Sequence, residues 1–300
     1  MTGTQVALVR RELWEHRSIY VTPLVIGFLV SLMAVTGQAT VSANDHVLNL
    51  ALFGISSLGP QERAALIAAT AIGVAMLLAL AMVILLVFYG LDALYAERRD
   101  RSILFWRSMP VTDAETVVSK LVTALIAIPL VTFAVTVATQ LVVLSSASVW
   151  LAARGADVAN VIWTVAPLGQ VGLVTLAYFV ALPLWLSPYV GWFLLVSAFA
   201  RRAPLLVAFL PMLVLPMLEK TLVGTSVLTN AFLRRPFEMP LFSGFDFRAL
   251  IFGGGRAELD LLARLDLGGF LASPGLWAGL VACAVFSAGA VWLRRYRDDS

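Results

Sequence analysis

The sequence has few charged residues and almost no cysteine. Asp, Glu, Lys and Arg make up 13% of its 300 residues, whereas hydrophobic residues make up 60%. This apolar content exceeds the roughly 45–50% of ordinary soluble domains, which favours a protein that lies in a bilayer. The single cysteine, Cys283, lies within an apolar run, so an intramolecular disulfide is excluded and the redox compartment stays open.

Motifs for catalysis, metal binding and nucleotide binding are also absent from the sequence. Three consecutive glycines, 253–255, lack the following Lys-Ser/Thr of a P-loop. His16 and His46 have no cluster of Cys, His or carboxylate residues around them at ligand spacing. The arginines are separated by apolar segments, so no basic stripe for nucleic acid forms. We therefore expect that this chain is not an enzyme, holds no cofactor or metal and has no nucleic-acid partner.

Long apolar runs divide the chain into six candidate spans, since about 20 residues cross the hydrocarbon core of a bilayer. The fourth run contains Pro183 and Pro188 and is longer than a bilayer, which predicts a broken or tilted span. A cleaved signal peptide is the alternative for the first run, because residues 41–43 resemble a cleavage site. We predict one all-α polytopic membrane domain over residues 1–300, with spans at about 19–37, 64–90, 121–145, 168–200, 204–218 and 275–293.

Basic residues predict the direction of the spans. Membrane proteins carry an excess of Lys and Arg in short cytosolic loops. We predict that both termini are cytosolic and that residues 221–273 form a large extracytoplasmic loop, because long loops cross largely regardless of charge. The basic residues that favour this topology are Arg10, Arg11 and Arg17, then the five from Arg98 to Lys120, then Arg201 and Arg202, and finally Arg294, Arg295 and Arg297.

A short helix is predicted before the first span. Its apolar residues fall along one side, and Arg11–Glu15 and Glu12–His16 are possible pairs four residues apart. These features are typical of an amphipathic helix on the membrane surface, and an ordinary charged flank is the alternative. The residues that we assign to this interfacial helix are Arg10, Arg11, Glu12 and Trp14.

A charged and aromatic loop, residues 91–120, separates the second span from the third. Ser102 to Met109 form a short amphipathic turn that Pro110 ends, because proline cannot continue a helix. Thr112 and Glu115 match a capping box, which predicts that a new helix begins there. Aromatic and arginine side chains are enriched at interface hot spots, so the loop could bind a partner. The alternative is a cytosolic loop whose aromatic side chains rest at the lipid headgroups.

Two spans, this loop and a third span resemble the permease subunits of type-2 ABC transporters. The likeness extends more weakly to the six-span plan, the N-terminal surface helix and the basic C-terminus. In that family the loop carries a Glu-Arg pair, a further Arg, an apolar residue followed by a Pro-Val pair, a Glu and a final Lys. The matching residues in this sequence are Glu97, Arg98, Arg101, Met109, Pro110, Val111, Glu115 and Lys120.

The resemblance implies a homo- or heterodimer of permease chains in a bacterial inner membrane, docked on two ABC ATPase subunits that bind ATP and Mg²⁺. The short helix of the loop would be a coupling helix that lies in a cleft of the ATPase. The segment around Leu259–Leu265 would belong to a re-entrant hairpin before the last span. The implied ATPase-coupling interface consists of Glu97, Arg98, Arg101, Ser102, Phe105, Trp106, Arg107, Met109 and Pro110.

The resulting hypothesis is a permease that exports a lipid-like or amphipathic substrate, with ATP hydrolysed by separate subunits. The predicted span interiors contain no Asp, Glu, Lys, Arg or His, whereas proton-coupled carriers usually need ionisable groups there. Two alternatives stay open. One is a non-transporting membrane scaffold or sensor component, and the other is an ion-coupled secondary carrier.

Overall fold

The computed structural model describes residues 3–44, 46–47, 49, 52, 54, 57–100, 111–242 and 262–296. These residues are mostly helical and include no strand, apart from an isolated antiparallel bridge between Phe242 and Leu265. Six of the described helical segments are long and apolar enough to cross a membrane. The prediction of an all-α chain with six such segments is therefore confirmed, and the architecture is that of a multi-pass membrane protein.

The helices follow the predicted spans closely, but several extend beyond them. A short α1 precedes α2, and α3 is followed by the brief α4. Helix α5 continues through a π-helical turn, π1, into α6. The bounds are α1 Gly3–Glu15, α2 Ser18–Ser42, α3 Pro60–Asp92, α4 Tyr95–Arg99, α5 Asp113–Val122, π1 Thr123–Ala127, α6 Ile128–Ala152, π2 Ala159–Trp163, α7 Leu168–Trp185, α8 Ser187–Phe199, α9 Pro204–Leu222, α10 Val227–Thr229, π3 Asn230–Arg234, α11 Leu267–Ala272 and α12 Pro274–Tyr296.

Two helices begin with a capping arrangement, and the one at α5 is the capping box that the sequence predicts. Gly59 precedes α3, Pro60 is its first residue, and the Gly59 amide donates to Glu62 Oε2 at 2.8 Å. At α5, the Glu115 amide donates to Thr112 Oγ1 at 3.2 Å, and the Thr112 amide donates to Glu115 Oε2 at 2.9 Å. Each arrangement satisfies amide groups that would otherwise lack a partner at a helix start.

The fourth apolar run is broken at one residue, Leu186, which separates α7 from α8. Pro188 follows the break and lacks an N–H, so it cannot continue the hydrogen-bond ladder of α7. The break leaves the last carbonyl groups of α7 available to side chains from other elements. One of these carbonyls, that of Trp185, accepts hydrogen bonds from a distant arginine.

The core is centred on α3, whose buried residues include Leu78 and Met82. Helices α8 and α12 approach each other closely at Gly191. A Cβ at this position would lie only 2.9 Å from the Cα and the carbonyl oxygen of Cys283. Helices α2 and α6 also meet at a glycine, Gly27, which faces Thr139. Small residues at such crossings let two backbones approach without displacing side chains.

The ends of several helices meet at one face of the molecule. Glu12 of α1, Glu97 of α4, Lys120 of α5 and Arg294 of α12 are joined by ion pairs. The N-terminal helix, the end of the second span, the start of the third and the end of the sixth therefore share this face. The predicted coupling helix within residues 101–110 lies outside the described residues, as does the segment 243–261.

Candidate functional site

Glu97 lies at the centre of a buried group of charged side chains. Its Oε1 atom is 3.0 Å from Lys120 Nζ, and its Oε2 atom is 2.6 Å from Arg294 Nη1. The side chains of Lys120, Arg294 and Glu97 are only 1%, 5% and 6% exposed, so solvent screens these pairs weakly. We call Glu12, Glu97, Asp113, Lys120 and Arg294 the ionic cluster.

Glu12 brings the N-terminal helix into the ionic cluster. Its Oε1 atom is 2.9 Å from Lys120 Nζ, and Tyr89 donates its hydroxyl hydrogen to Oε2 at 2.9 Å. His16 lies one turn further along, with Nε2 3.8 Å from Glu12 Oε2 and its ring edge-on to Tyr89. The side chains of Leu8 and Glu12 are the buried residues of α1 and lie four residues apart. The buried face of α1 therefore contacts the rest of the protein through a carboxylate as well as through an apolar side chain.

Arg11 links the same helix to Glu97 from the outer side of the cluster. Its guanidinium pairs with Glu15 at 2.7 Å, as the sequence predicts, and its Nη2 atom is 3.4 Å from Glu97 Oε1. Burial lowers the pKa of Arg11, but the hydrogen bond and charge of Glu15, together with the charges of Glu12 and Glu97, outweigh this effect and raise the pKa overall. Arg11 is therefore a permanent cation at the edge of the cluster.

Arg294, near the end of α12, contacts both segments that flank the loop 101–110. We call the segment before the loop its entry stem and the segment after it its exit stem. Its Nη1 atom donates to Glu97 Oε2 at 2.6 Å, and its Nε atom donates to Asp113 Oδ1 at 2.7 Å. Glu97 precedes the loop, and Asp113 is the first residue of the helix that follows it. One planar guanidinium thus holds the entry and the exit of the loop in a fixed relation to the last span.

Arg98 and Ser197 attach the entry stem to the end of α8. Arg98 Nη2 donates to the carbonyl oxygens of Ser197 at 2.6 Å and Ala200 at 2.8 Å. The hydroxyl oxygen of Ser197 accepts hydrogen bonds from the backbone amides of Leu94 and Tyr95, both at 2.8 Å. A cation at a helix C-terminus satisfies carbonyl groups that have no partner within the helix. The segment before the loop is therefore fixed to the fourth span as well as to the sixth.

Among the described residues, Arg11 and the ionic cluster contribute three cations and three carboxylates, so their formal charges balance. Balance matters because a buried charge without a partner is costly, whereas a well-bonded buried pair contributes little net stability. Removing one member of a buried pair costs about 3–5 kcal/mol, since the other charge stays buried. The cluster therefore fixes which helix ends sit together more than it strengthens the fold as a whole.

A polar cavity of about 400 Å³ opens beside the ionic cluster. Its walls come from α1, from the start of α5 and from the end of α12. The charged residues that line it are Arg11, Asp113, Arg294 and Arg295. The cavity lies next to the exit stem of the loop 101–110, so a partner that binds the loop could also reach these charged groups.

The predicted site residues fall into three groups. Glu97 and Arg98 of the predicted coupling interface, and Arg11 and Glu12 of the interfacial helix, make the internal contacts above. Arg10 and Trp14 stay on the surface of α1, where the guanidinium carbon lies 4.9 Å from the ring centroid and Trp14 is 67% exposed. The predicted interface residues that lie outside the described residues are Arg101, Ser102, Phe105, Trp106, Arg107, Met109 and Pro110.

Sequence reasoning did not assign Tyr89, Asp113, Lys120 or Arg294 to the site. Lys120 belongs to the motif that carries the family resemblance, and its position at the start of an apolar run was a usable signal. The partners Glu97 and Arg294 are 197 residues apart, so no local pattern could connect them. Within the described part of the chain, no group of three or more His, Cys, Asp or Glu side chains is placed to hold a metal ion.

Comparisons with known proteins do not place the chain in a family. No protein-family model, no curated protein and no solved structure matches it.

Proposed function

We propose that this chain is the membrane-spanning permease subunit of an ABC transporter, driven by separate ATPase subunits that dock on the loop around residues 98–113. The observation that supports this function best is the double contact of Arg294 with Glu97 and Asp113, at 2.6 Å and 2.7 Å. Glu97 and Asp113 lie on the two stems of the loop, and each stem is connected to a different span. A force applied to the loop would therefore reach the second, third and sixth spans together.

The ionic cluster suits this role because its hydrogen bonds connect the helix ends directly. A movement of the loop would then be transmitted to the helices, whereas a flexible connection would not transmit it. Charge-assisted hydrogen bonds are short and directional, and a planar guanidinium fixes the angle between two carboxylates. Glu12 and Lys120 extend the same connection to α1, which would lie along the membrane surface. The loop, the surface helix and three spans would then move as one unit when the ATPase subunits close.

The distribution of basic residues supports an orientation with this face in the cytosol, where ATP is available. Both termini would be cytosolic, and the membrane would be a bacterial inner membrane. By family resemblance, two permease chains would form a homo- or heterodimer on two ATPase subunits that bind ATP and Mg²⁺. The substrate would be lipid-like or amphipathic and would move outward.

The first experiment is purification from native membranes in mild detergent, followed by mass spectrometry of the proteins that copurify. We compare wild type with a variant that combines Phe105→Ala, Trp106→Ala and Arg107→Ala. A matched control, Trp163→Ala, Phe237→Ala and Arg234→Ala, removes the same three residue types from exposed positions at the opposite end of the molecule. We expect an ATP-binding subunit with wild type and the control, but not with the loop variant.

Absence of an ATPase from wild type, under conditions that keep complexes intact, would contradict the proposal and favour a carrier driven by an ion gradient. A scaffold or sensor component would recruit a partner through the same loop but would not transport. Substrate-stimulated ATP hydrolysis in the reconstituted complex separates these cases, since a scaffold gives no stimulation. Uptake driven by a gradient without any ATPase would identify a secondary carrier.

A further inference from the structure

A second cavity lies at the other end of the last span, far from the ionic cluster. It has a volume of about 330 Å³, which is within the range of small-molecule sites. Its walls are contributed by α8, α9, π3 and α12 and are almost entirely apolar. At 1.5 Å per residue, Gly279 on its wall is about 22 Å along α12 from Arg294. The main lining side chains are Tyr189, Trp192, Met212, Phe232 and Phe286, together with Arg235.

Among the residues that the structure describes, Arg235 is the only charged one that lines this cavity. Its Nε and Nη2 atoms both donate to the carbonyl oxygen of Trp185 at 3.1 Å, and Trp185 Nε1 donates back to the carbonyl of Arg235 at 2.6 Å. The guanidinium also lies 4.3 Å from the centroid of the Trp185 ring. These contacts hold the guanidinium at the break between α7 and α8, where the carbonyl of Trp185 accepts from Arg235 instead of from a helix amide.

The Arg235 guanidinium has more N–H donors than its contacts with Trp185 use. A guanidinium carries five N–H groups, and the contacts with Trp185 leave Nη1 without a hydrogen bond to any described residue. No described carboxylate forms an ion pair with Arg235, whereas Arg11 and Arg294 each contact two. In the same stretch of the chain, Glu219 accepts hydrogen bonds from Thr225 and Val227, and Glu238 is exposed. A half-buried cation among apolar side chains is stabilised when an anionic partner binds it.

Space for this cation is provided by glycine. A Cβ at Gly279 would overlap the guanidinium of Arg235 and approach Pro188 Cδ at 3.3 Å. The π3 segment, which Arg235 directly follows, is held in place from the other side, since Tyr189 donates its hydroxyl hydrogen to the carbonyls of Ala231 and Phe232 at 2.9 and 3.1 Å. The guanidinium is thus positioned at the cavity wall rather than released to solvent.

From this geometry we propose that the cavity binds an anionic lipid, with its carboxylate or phosphate head on Arg235 and its acyl chain between Trp192, Met212 and Phe286. This inference names a substrate class for the proposed transporter and in that respect rests on the proposed function. Binding itself requires no ATPase, so it can be measured on the isolated permease. Recognition follows from one charge-assisted contact at the head and apolar burial of the chain.

The test is native mass spectrometry of the purified chain in non-ionic detergent with added lipid. Oleate and dioleoyl phosphatidic acid are the anionic probes, and they distinguish a carboxylate from a phosphate head. Oleyl alcohol and dioleoyl phosphatidylcholine are the controls without net charge. We expect wild type to bind at least one anionic probe at least about tenfold more tightly than its control, as a hydrogen bond to a charged group allows.

Arg235→Gln should reduce this binding by about tenfold or more, and Arg235→Lys should retain part of it. Arg234→Gln is the matched control, because Arg234 is the exposed neighbour on π3. If Arg235→Gln does not fold, Gly279→Leu tests the same site, since it keeps the cation but fills its space. If neither anionic probe binds more tightly than its control, or if binding is unchanged by both Arg235→Gln and Gly279→Leu, the site is overturned.

The two proposals fail separately. If an ATPase copurifies but no anionic lipid binds, the transporter survives and this substrate class is wrong. If anionic lipid binds but no ATPase is found, the site is real and the proposed function is wrong.

Discussion

Lys120 neutralises carboxylates from two different helices with one ammonium group. Its Nζ atom lies 2.9 Å from Glu12 and 3.0 Å from Glu97, and the side chain is 1% exposed. Lysine is almost never buried this deeply unless it is paired. The apolar run that follows Lys120 predicted its place at the start of a span, but not its partners, because these come from segments that are remote in sequence.

Lys120→Ala should destabilise the chain by about 3–5 kcal/mol, because Glu12 and Glu97 stay buried with less positive charge nearby. The control is Lys220→Ala, which removes the same side chain from an exposed position in the last turn of α9. Thermal unfolding in detergent, followed by size-exclusion chromatography after heating, measures both. Equal midpoints for the two variants would show that the ionic cluster does not stabilise the fold.

At the scale of helices, local chemistry made the prediction possible. The lengths of the apolar runs predicted the long helices, and the prolines predicted a break in the fourth run, which lies at Leu186. The pair Thr112 and Glu115 predicted the start of α5. Each signal acts within one turn or one run of residues. Packing partners could not be predicted in the same way, since the contact between Gly191 and Cys283 depends on how two distant helices cross.

Gly191→Ala should force α8 and α12 apart. The new Cβ would lie 2.9 Å from backbone atoms of Cys283, which cannot rotate away as a side chain would. Overpacking of this kind costs about 1–3 kcal/mol. The control is Gly172→Ala on α7, where no described atom lies within 4 Å of the new methyl group apart from the adjoining residues and helix backbone. There alanine should be neutral or stabilising by up to about 1 kcal/mol, because it is the better helix former. Thermal unfolding of both variants checks the difference, and equal destabilisation would contradict the close packing.

At the scale of the whole molecule, the two candidate sites lie at opposite ends. The ionic cluster gathers the helix ends at one face, and the cavity with Arg235 is enclosed by the opposite halves of α8, α9 and α12. Helices α8 and α12 contact each other and reach from one site toward the other. A movement that begins at the ionic cluster could thus alter the cavity through two packed helices.

This arrangement requires the ionic cluster to face the cytosol, and cysteine labelling tests that orientation. Cys283 is the single cysteine and is only 5% exposed, so wild type should give little background. Ser226→Cys and Arg202→Cys each place a thiol at an exposed position, Ser226 after α9 and Arg202 just before it. With a membrane-impermeant maleimide, we expect Ser226→Cys to react in intact cells and Arg202→Cys only after permeabilisation. The reverse pattern would place the loop 101–110 on the side without ATP, and no ATPase could then drive the chain from that loop.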